Sequence, residues 1–268
     1  MEKLQAAIAQ AREMRGKTGP AHVRGVVAAS VKPGAWDQIA PLEISAETAA
    51  QNRLVSLAGG VHATPFDLLR TKVLQLTAAN QWTRVAITSP SAGCGKTTTA
   101  ANLAASLGRQ VDKRTILMDM DMRRPTLGQL FGYEGRASVF DVLEEDIDFA
   151  DQARRLGPNV ALSMNAGPAR DPSELILRKR TEEIINEIER TYQPGLMLFD
   201  LPPMLANDDT SAFLRIVDCV MIVAEAEVTT AKQIDTCEKE LAQHTNILGV
   251  VLNKCRFNEE EYGYSYGY

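Results

Sequence analysis

The chain has 268 residues, 45% of them hydrophobic and 24% charged, with a formal net charge of -5. That is ordinary globular composition for one large domain, or one domain with an appendage, and its acidic balance argues against nucleic acid or an acidic membrane surface as non-specific partners. The longest apolar runs, "LMLF" and "CVMIVA", fall far short of the ~20 residues of a spanning helix, and the four cysteines lack the spacing of a zinc site or a disulfide framework.

Met1 to about Arg15 is predicted to form a short amphipathic helix, with Leu4, Ile8 and Ala11 on one face. It has no continuous apolar stretch of the secretory kind, so a cytoplasmic protein is expected. The following stretch to about Gly60 mixes Gly, Pro, Ala and Ser and reads as a linker or loosely packed arm. "TPFDLLRTKVLQL", residues 64 to 76, predicts a helix capped by Thr64 with Pro65 in its first turn. From residue 84 onward apolar runs alternate with helical patterns. The runs are "RVAITS", "RTILMD", "VALSM", "LMLFD", "CVMIVA" and "ILGVVLN"; the helices include 96–109, 172–192 and 230–243, the second opened by "DPSE" with Asp171 as cap. Strands apolar throughout and separated by helices predict an α/β fold: a mainly parallel, doubly wound sheet with helices on both faces. Residues 1–60 are the expected N-terminal helix and arm, 61–258 the main domain, and 259–268 a flexible tyrosine-rich tail.

In such sheets ligands bind beyond the carboxyl ends of the strands. After the first run stands "TSPSAGCGKTTTAANLA", whose Gly93, Gly95, Lys96 and Thr97 match the second half of a phosphate-binding P-loop; Pro90 replaces the first glycine. Glycines let backbone N–H groups face phosphate, the helix N-terminus adds positive potential, Lys96 reaches the β and γ phosphates, and the Thr97 hydroxyl can ligate Mg²⁺. Gly93, Cys94, Gly95, Lys96, Thr97 and Thr98 are the expected nucleotide-binding set. The second run ends "ILMDMDMRRP", bringing Asp119 and Asp121 to the same edge. Spaced by two on an extended segment, both are expected to address one metal-bound phosphate, although helix capping is an alternative. Arg123 and Arg124 follow as possible charge stabilisers. "LMLFDLPPM" adds Asp200, placed to hold the hydration shell of Mg²⁺ together with Thr97 and Asp121. Asn253, ending "VVLN", is expected to reach the base; Arg256 stands where a guanine-specific N-K-x-D would have aspartate, which favours ATP.

With these segments in this order, and with "NAGPARDPSEL", "GVVLNK" and the closing "EEEYGYSYGY", residues 60 to 268 resemble the bacterial tyrosine kinases of exopolysaccharide and capsule loci, in particular the stand-alone cytoplasmic kinases split from their membrane activator. The resemblance implies autophosphorylation of the tail tyrosines Tyr262, Tyr264, Tyr266 and Tyr268, with Lys96, Asp119, Asp121 and Asp200 at the Walker A, A′ and B positions as catalytic residues, and ATP and Mg²⁺ as cofactors. It also implies a membrane-anchored activator or chain-length protein that recruits the kinase to the inner membrane, a protein-tyrosine phosphatase, and a homo-oligomer; no nucleic-acid partner is expected. Ser91 stands where the related division-site and partitioning ATPases carry an extra lysine. The ring-forming E-x-x-R-x-x-R of the kinases reads Thr64, Asp67 and Arg70 here, which puts a ring of the family type in doubt. The alternatives are a positioning-type ATPase without kinase activity and a nucleotide-sensing interaction protein.

A phenol near pKa 10 is not deprotonated beforehand by a carboxylate near 4, so orientation and electrostatics must supply the catalysis. In that scheme Asp119 takes the acceptor hydroxyl. The 9 to 15 residues from Asn253 to the tyrosines span ~30–50 Å when extended, enough for the chain's own site or a neighbour's.

Overall fold

The computed structural model describes residues 34–110, 112–206 and 208–256. The expected Met1–Arg15 helix and the tyrosine run lie outside them.

Seven strands form one sheet: β1 (Arg84–Thr88), β2 (Thr115–Asp119), β3 (Arg154–Leu156), β4 (Val160–Ser163), β5 (Leu196–Asp200), β6 (Cys219–Glu225) and β7 (Asn246–Asn253). Their spatial order is β3-β4-β2-β5-β1-β6-β7. Every pair is parallel except β3 with β4. The α/β doubly wound architecture is therefore present, and its physical origin is visible in the strands. Along β5, Met197 and Phe199 enter one core, while Leu196 and Leu198 enter the core on the opposite face. A strand buried on both faces must be apolar at every position.

Eleven α-helices are described: α1 (Ala46–Gln51), α2 (Val55–Ala58), α3 (Thr64–Asn80), α4 (Lys96–Leu107), α5 (Leu127–Phe131), α6 (Val139–Leu143), α7 (Phe149–Gln152), α8 (Pro172–Leu177), α9 (Lys179–Tyr192), α10 (Asp209–Phe213) and α11 (Ala231–Leu241). Among the described residues no helix is long and apolar enough to cross a membrane. Small residues on α4 (Ala100, Ala101, Ala104) are fully buried, which lets the helix lie close on the sheet and places its N-terminus at the carboxyl edge.

Several local expectations change. Thr64 is the first residue of α3 rather than its cap, which is Ala63. Asp171 sits in the left-handed region (φ 47°, ψ 52°) and makes no side-chain cap bond, and the segment 172–192 breaks at Arg178, whose backbone is extended. The stretch read as a loose arm is packed where it is described. Trp36, Ile39 and Leu54 are buried, Trp36 Nε1 donates to the Pro158 carbonyl (2.8 Å), and Pro41 bridges to Arg155 on β3. Large apolar side chains of this kind belong inside whatever composition surrounds them.

Candidate functional site

The site grows from the turn between β1 and α4. Gly93 (φ 85°) and Gly95 (φ 87°) hold left-handed backbone that other residues adopt only with strain. At Gly95 a Cβ would also lie 2.2 Å from Asn253 Nδ2. The reason is that Asn253 donates from Nδ2 to the Cys94 carbonyl (2.9 Å), fastening the end of β7 to the loop. Asn253, expected to address a base, is thus a loop-positioning residue in this structure. Ser89 Oγ donates to the Ser91 carbonyl (2.7 Å) and tightens the same turn. The Cys94 thiol is raised by burial, but hydrogen bonding with Ser91 and Thr229 outweighs this and leaves it below its ordinary value.

Lys96 opens α4 with its ammonium folded under the loop. Nζ donates to Asp121 Oδ2 (2.8 Å) and to Thr97 Oγ1 (3.3 Å), and it lies 3.6 Å from Asp200 Oδ1. Burial lowers its pKa, yet the charges of Asp200 and Asp121 prevail and hold it above the ordinary lysine value. Thr98 follows on the same helical turn, half-buried.

The two aspartates after β2 take different hydrogen-bond partners. The strand ends at Asp119, but Met120 N–H still donates to the Asp200 carbonyl (2.9 Å) and Met118, Met120 and Met122 enter one core, so the alternation runs on through Asp121. Asp121 meets Lys96. Asp119 is fully buried and accepts from the backbone N–H groups of Asp121 (3.2 Å) and Leu127 (3.4 Å), which braces the loop. Burial, together with the charge of Asp200, pushes the Asp119 carboxyl well above the usual carboxylate range. Asp200 stands beside it in register on β5.

Asp200 is the outlier. It is fully buried, and neither carboxylate oxygen has a hydrogen-bond partner. Burial raises its pKa, and the Lys96 charge opposes this only in part. With the Lys96 ammonium 3.6 Å away but no hydrogen bond, a buried carboxylate remains costly until a further cation meets it. Among the described residues no three His, Cys, Asp or Glu side chains gather closely enough to hold a metal alone. Asp200 and the Thr97 hydroxyl nevertheless fit a hard cation that takes most of its ligands from phosphate and water, as Mg²⁺ does, whereas Asp121, the third expected ligand, is bonded to Lys96.

The arginines diverge. Arg123 Nε donates to Asp209 Oδ2 (2.6 Å) and Arg123 NH2 donates to Ser173 Oγ (2.6 Å), tying the loop to α8 and α10. Arg124 is exposed and uses its backbone N–H on Asp121 Oδ1 (3.2 Å). Among the described residues, no partner meets the Arg124 side chain. Two supporting residues escaped the sequence reading: Thr126, whose Oγ1 donates to Thr97 Oγ1 (3.2 Å), and Asn165, whose Nδ2 donates to the Asp119 carbonyl (2.8 Å). Thr126 follows "RRP" and could have been marked by its place in that loop. Asn165 lies after β4, and its contact with Asp119 depends on the strand order.

The sequence pattern described as the CobQ/CobB/MinD/ParA nucleotide binding domain matches residues 85–264. The chain belongs to this family. Relatives of this nucleotide-binding domain include the tyrosine-protein kinase YwqD of Bacillus subtilis, 29% identical, with 76% of this chain and 86% of that protein covered. Another is the tyrosine-protein kinase wzc of Salmonella typhi, 32% identical over 66% of this chain and 25% of that protein. The chain spans roughly a quarter to a third of the length of the longer curated relatives. Among solved structures, the kinase domain of the Escherichia coli tyrosine kinase ETK superposes with a TM-score of 0.59 at 28% identity, covering 69% of this chain and 72% of that one. Within the CobQ/CobB/MinD/ParA family the resemblance to bacterial tyrosine kinases therefore holds across sequence and fold.

Proposed function

We propose that this chain is an ATP-dependent protein-tyrosine autokinase that phosphorylates Tyr262, Tyr264, Tyr266 and Tyr268 and acts in exopolysaccharide synthesis or export. The observation that carries the reading is the Lys96 ammonium, held at 2.8 Å from Asp121 and 3.6 Å from Asp200 at a phosphate-type loop, beside a buried carboxylate with no hydrogen-bond partner. β7 supports it from another direction: it ends at Asn253, on the loop itself, nine residues before Tyr262 in the sequence.

Binding of ATP offers Lys96 the β and γ phosphates, a stronger anion than Asp121, and the ammonium transfers to them. Bound Mg²⁺, held by Asp200 and Thr97, would neutralise charge on the β and γ oxygens. The released Asp121 carboxylate then faces the acceptor. The phenolic oxygen forms a bond to the γ phosphorus as the bond to the β,γ-bridging oxygen breaks; ADP leaves and the phenolic proton passes to Asp121. In a loose transition state that proton moves late, so a weakly basic carboxylate suffices. Asp119 acts through Asp121, whose backbone it holds, and Arg124 is free to meet developing charge.

The cytoplasmic setting, a membrane-anchored activator, an opposing phosphatase and a homo-oligomer belong to the same proposal. Lys96→Met should lower incorporation of labelled γ-phosphate by at least about 10²-fold, the scale of losing one electrostatic stabiliser. Undiminished labelling would remove Lys96 from the mechanism.

A further inference from the structure

β7 closes one side of the sheet and pairs only with β6; among the described residues nothing pairs with its outer edge. Past the register shift that leaves Leu248 unpaired, residues 249–253 are a regular stretch of such an edge, with a row of backbone donors and acceptors of the kind that proteins ordinarily blunt with charge, proline or a bulge. The stretch 249–253 itself contains none of these. Val250 and Leu252 stand opposite Ile222 and Ala224 of β6, so they share a face, and they are 41% and 59% exposed. The chain then turns at Lys254, whose φ of 59° lies in the left-handed region. Eight positions beyond Lys254 the sequence takes up a strand period, with Tyr262, Tyr264, Tyr266 and Tyr268 alternating with Gly263, Ser265 and Gly267. In an extended segment all four rings fall on one face.

We propose that residues 262–268 pair antiparallel with the outer edge of β7 in the same chain, laying their tyrosines against Val250 and Leu252. The segment 254–261 is long enough for the return, and directly opposed residues of antiparallel strands share a face. A register with Tyr262 opposite Leu252 puts Tyr264 opposite Val250 and carries both patterns together. Docking also moves the rings back along β7: Tyr264 lies about 10 Å behind Asn253 at ~3.3 Å per residue. The edge strand is thereby a storage site that withdraws the tyrosines from the chain's own phosphate loop. The docking stands on the strand edge and the period-two pattern; only its consequence for phosphorylation rests on the proposed kinase activity.

Hydrogen exchange of the full chain, without nucleotide, tests it against the Val250→Lys/Leu252→Lys variant, which alters exposed side chains only. Amides of 262–268 should exchange about ten-fold or more slowly in the wild type than in the variant, independently of protein concentration. Disulfide trapping reads the register in a Cys255→Ser background: Leu252→Cys with Tyr262→Cys should close within one chain, faster than Leu252→Cys with Gly263→Cys. Protection that rises with concentration, or crosslinks found only between chains, would assign the edge to a second copy and overturn the proposal. So would a protected β7 with unprotected 262–268, which would mean another segment covers it, or no protection at all. None of these readings requires ATP, so failure of the kinase assignment leaves the test intact.

Discussion

Asp200 shows the cost of a site prepared for a ligand that is not part of the fold. A fully buried carboxylate without hydrogen bonds destabilises the nucleotide-free protein, and Asp200→Asn should stabilise it by about 1–3 kcal/mol in the presence of a chelator. The sign follows from linkage. Burial raises the folded pKa above the unfolded value of about 4, so the group's contribution is intact below that value and is lost as pH rises through the folded pKa. Thermal melts of both proteins should therefore converge near pH 4 and separate toward neutrality. The same variant should bind Mg-ATP less tightly. Gly95→Ala is the second residue-scale prediction. Its Cβ would displace the Asn253 amide from the Cys94 carbonyl, so nucleotide binding measured by calorimetry should fall below detection while the far-ultraviolet circular dichroism stays unchanged.

At the scale of elements, the parallel strands were legible because burial on both faces forces an apolar run, and three of the runs, β2, β5 and β7, end in the polar residues Asp119, Asp200 and Asn253 at the site. β3 was not legible: its three residues, "RRL", are half-buried, antiparallel and at the rim of the sheet. The break at Arg178 was hidden because "PSELILRKRTEEIINEIERTY" keeps good helix formers throughout, and its position is set by packing. Asp119 and Asp121 were legible as a pair at the sheet edge, but the partner each takes there, backbone N–H groups for Asp119 and Lys96 for Asp121, depends on tertiary contacts. The arm was underestimated for a related reason: one tryptophan weighs more than its polar surroundings. Trp36→Ala should cost about 3–5 kcal/mol in urea unfolding, and a cost within about 0.5 kcal/mol would show that residues 34–42 are detachable. At the far end of the sheet, fully buried Arg84 donates to Glu189 Oε2 (2.5 Å) and Asn186 Oδ1 (2.6 Å) on α9. Removing Glu189 takes a charge partner from this buried guanidinium, so Glu189→Ala should destabilise by about 3 kcal/mol without altering nucleotide affinity.

At the scale of the whole molecule, assembly and charge decide where the tyrosines go. Arg70, the one residue of the ring pattern that persists, donates to the Ser106 carbonyl (3.1 Å) and hydroxyl (3.1 Å), and it also pairs with Asp67, so its charge is engaged within its own chain. Asp67 is engaged by Arg109 as well. Four phosphotyrosines would add roughly -6 to -8 charges next to Glu259, Glu260 and Glu261, on a chain already at -5. Phosphorylation should therefore lower oligomer size, and identical scattering profiles of the two forms would refute that. The central claim, that the Lys96–Asp121–Asp200 site transfers phosphate to the chain's own tyrosines, is tested most directly by phosphosite mapping after incubation of the purified full chain with Mg-ATP. The account predicts phosphate on Tyr262, Tyr264, Tyr266 or Tyr268 in the wild type and none in Lys96→Met. Hydrolysis of ATP with every one of these tyrosines unmodified would contradict it.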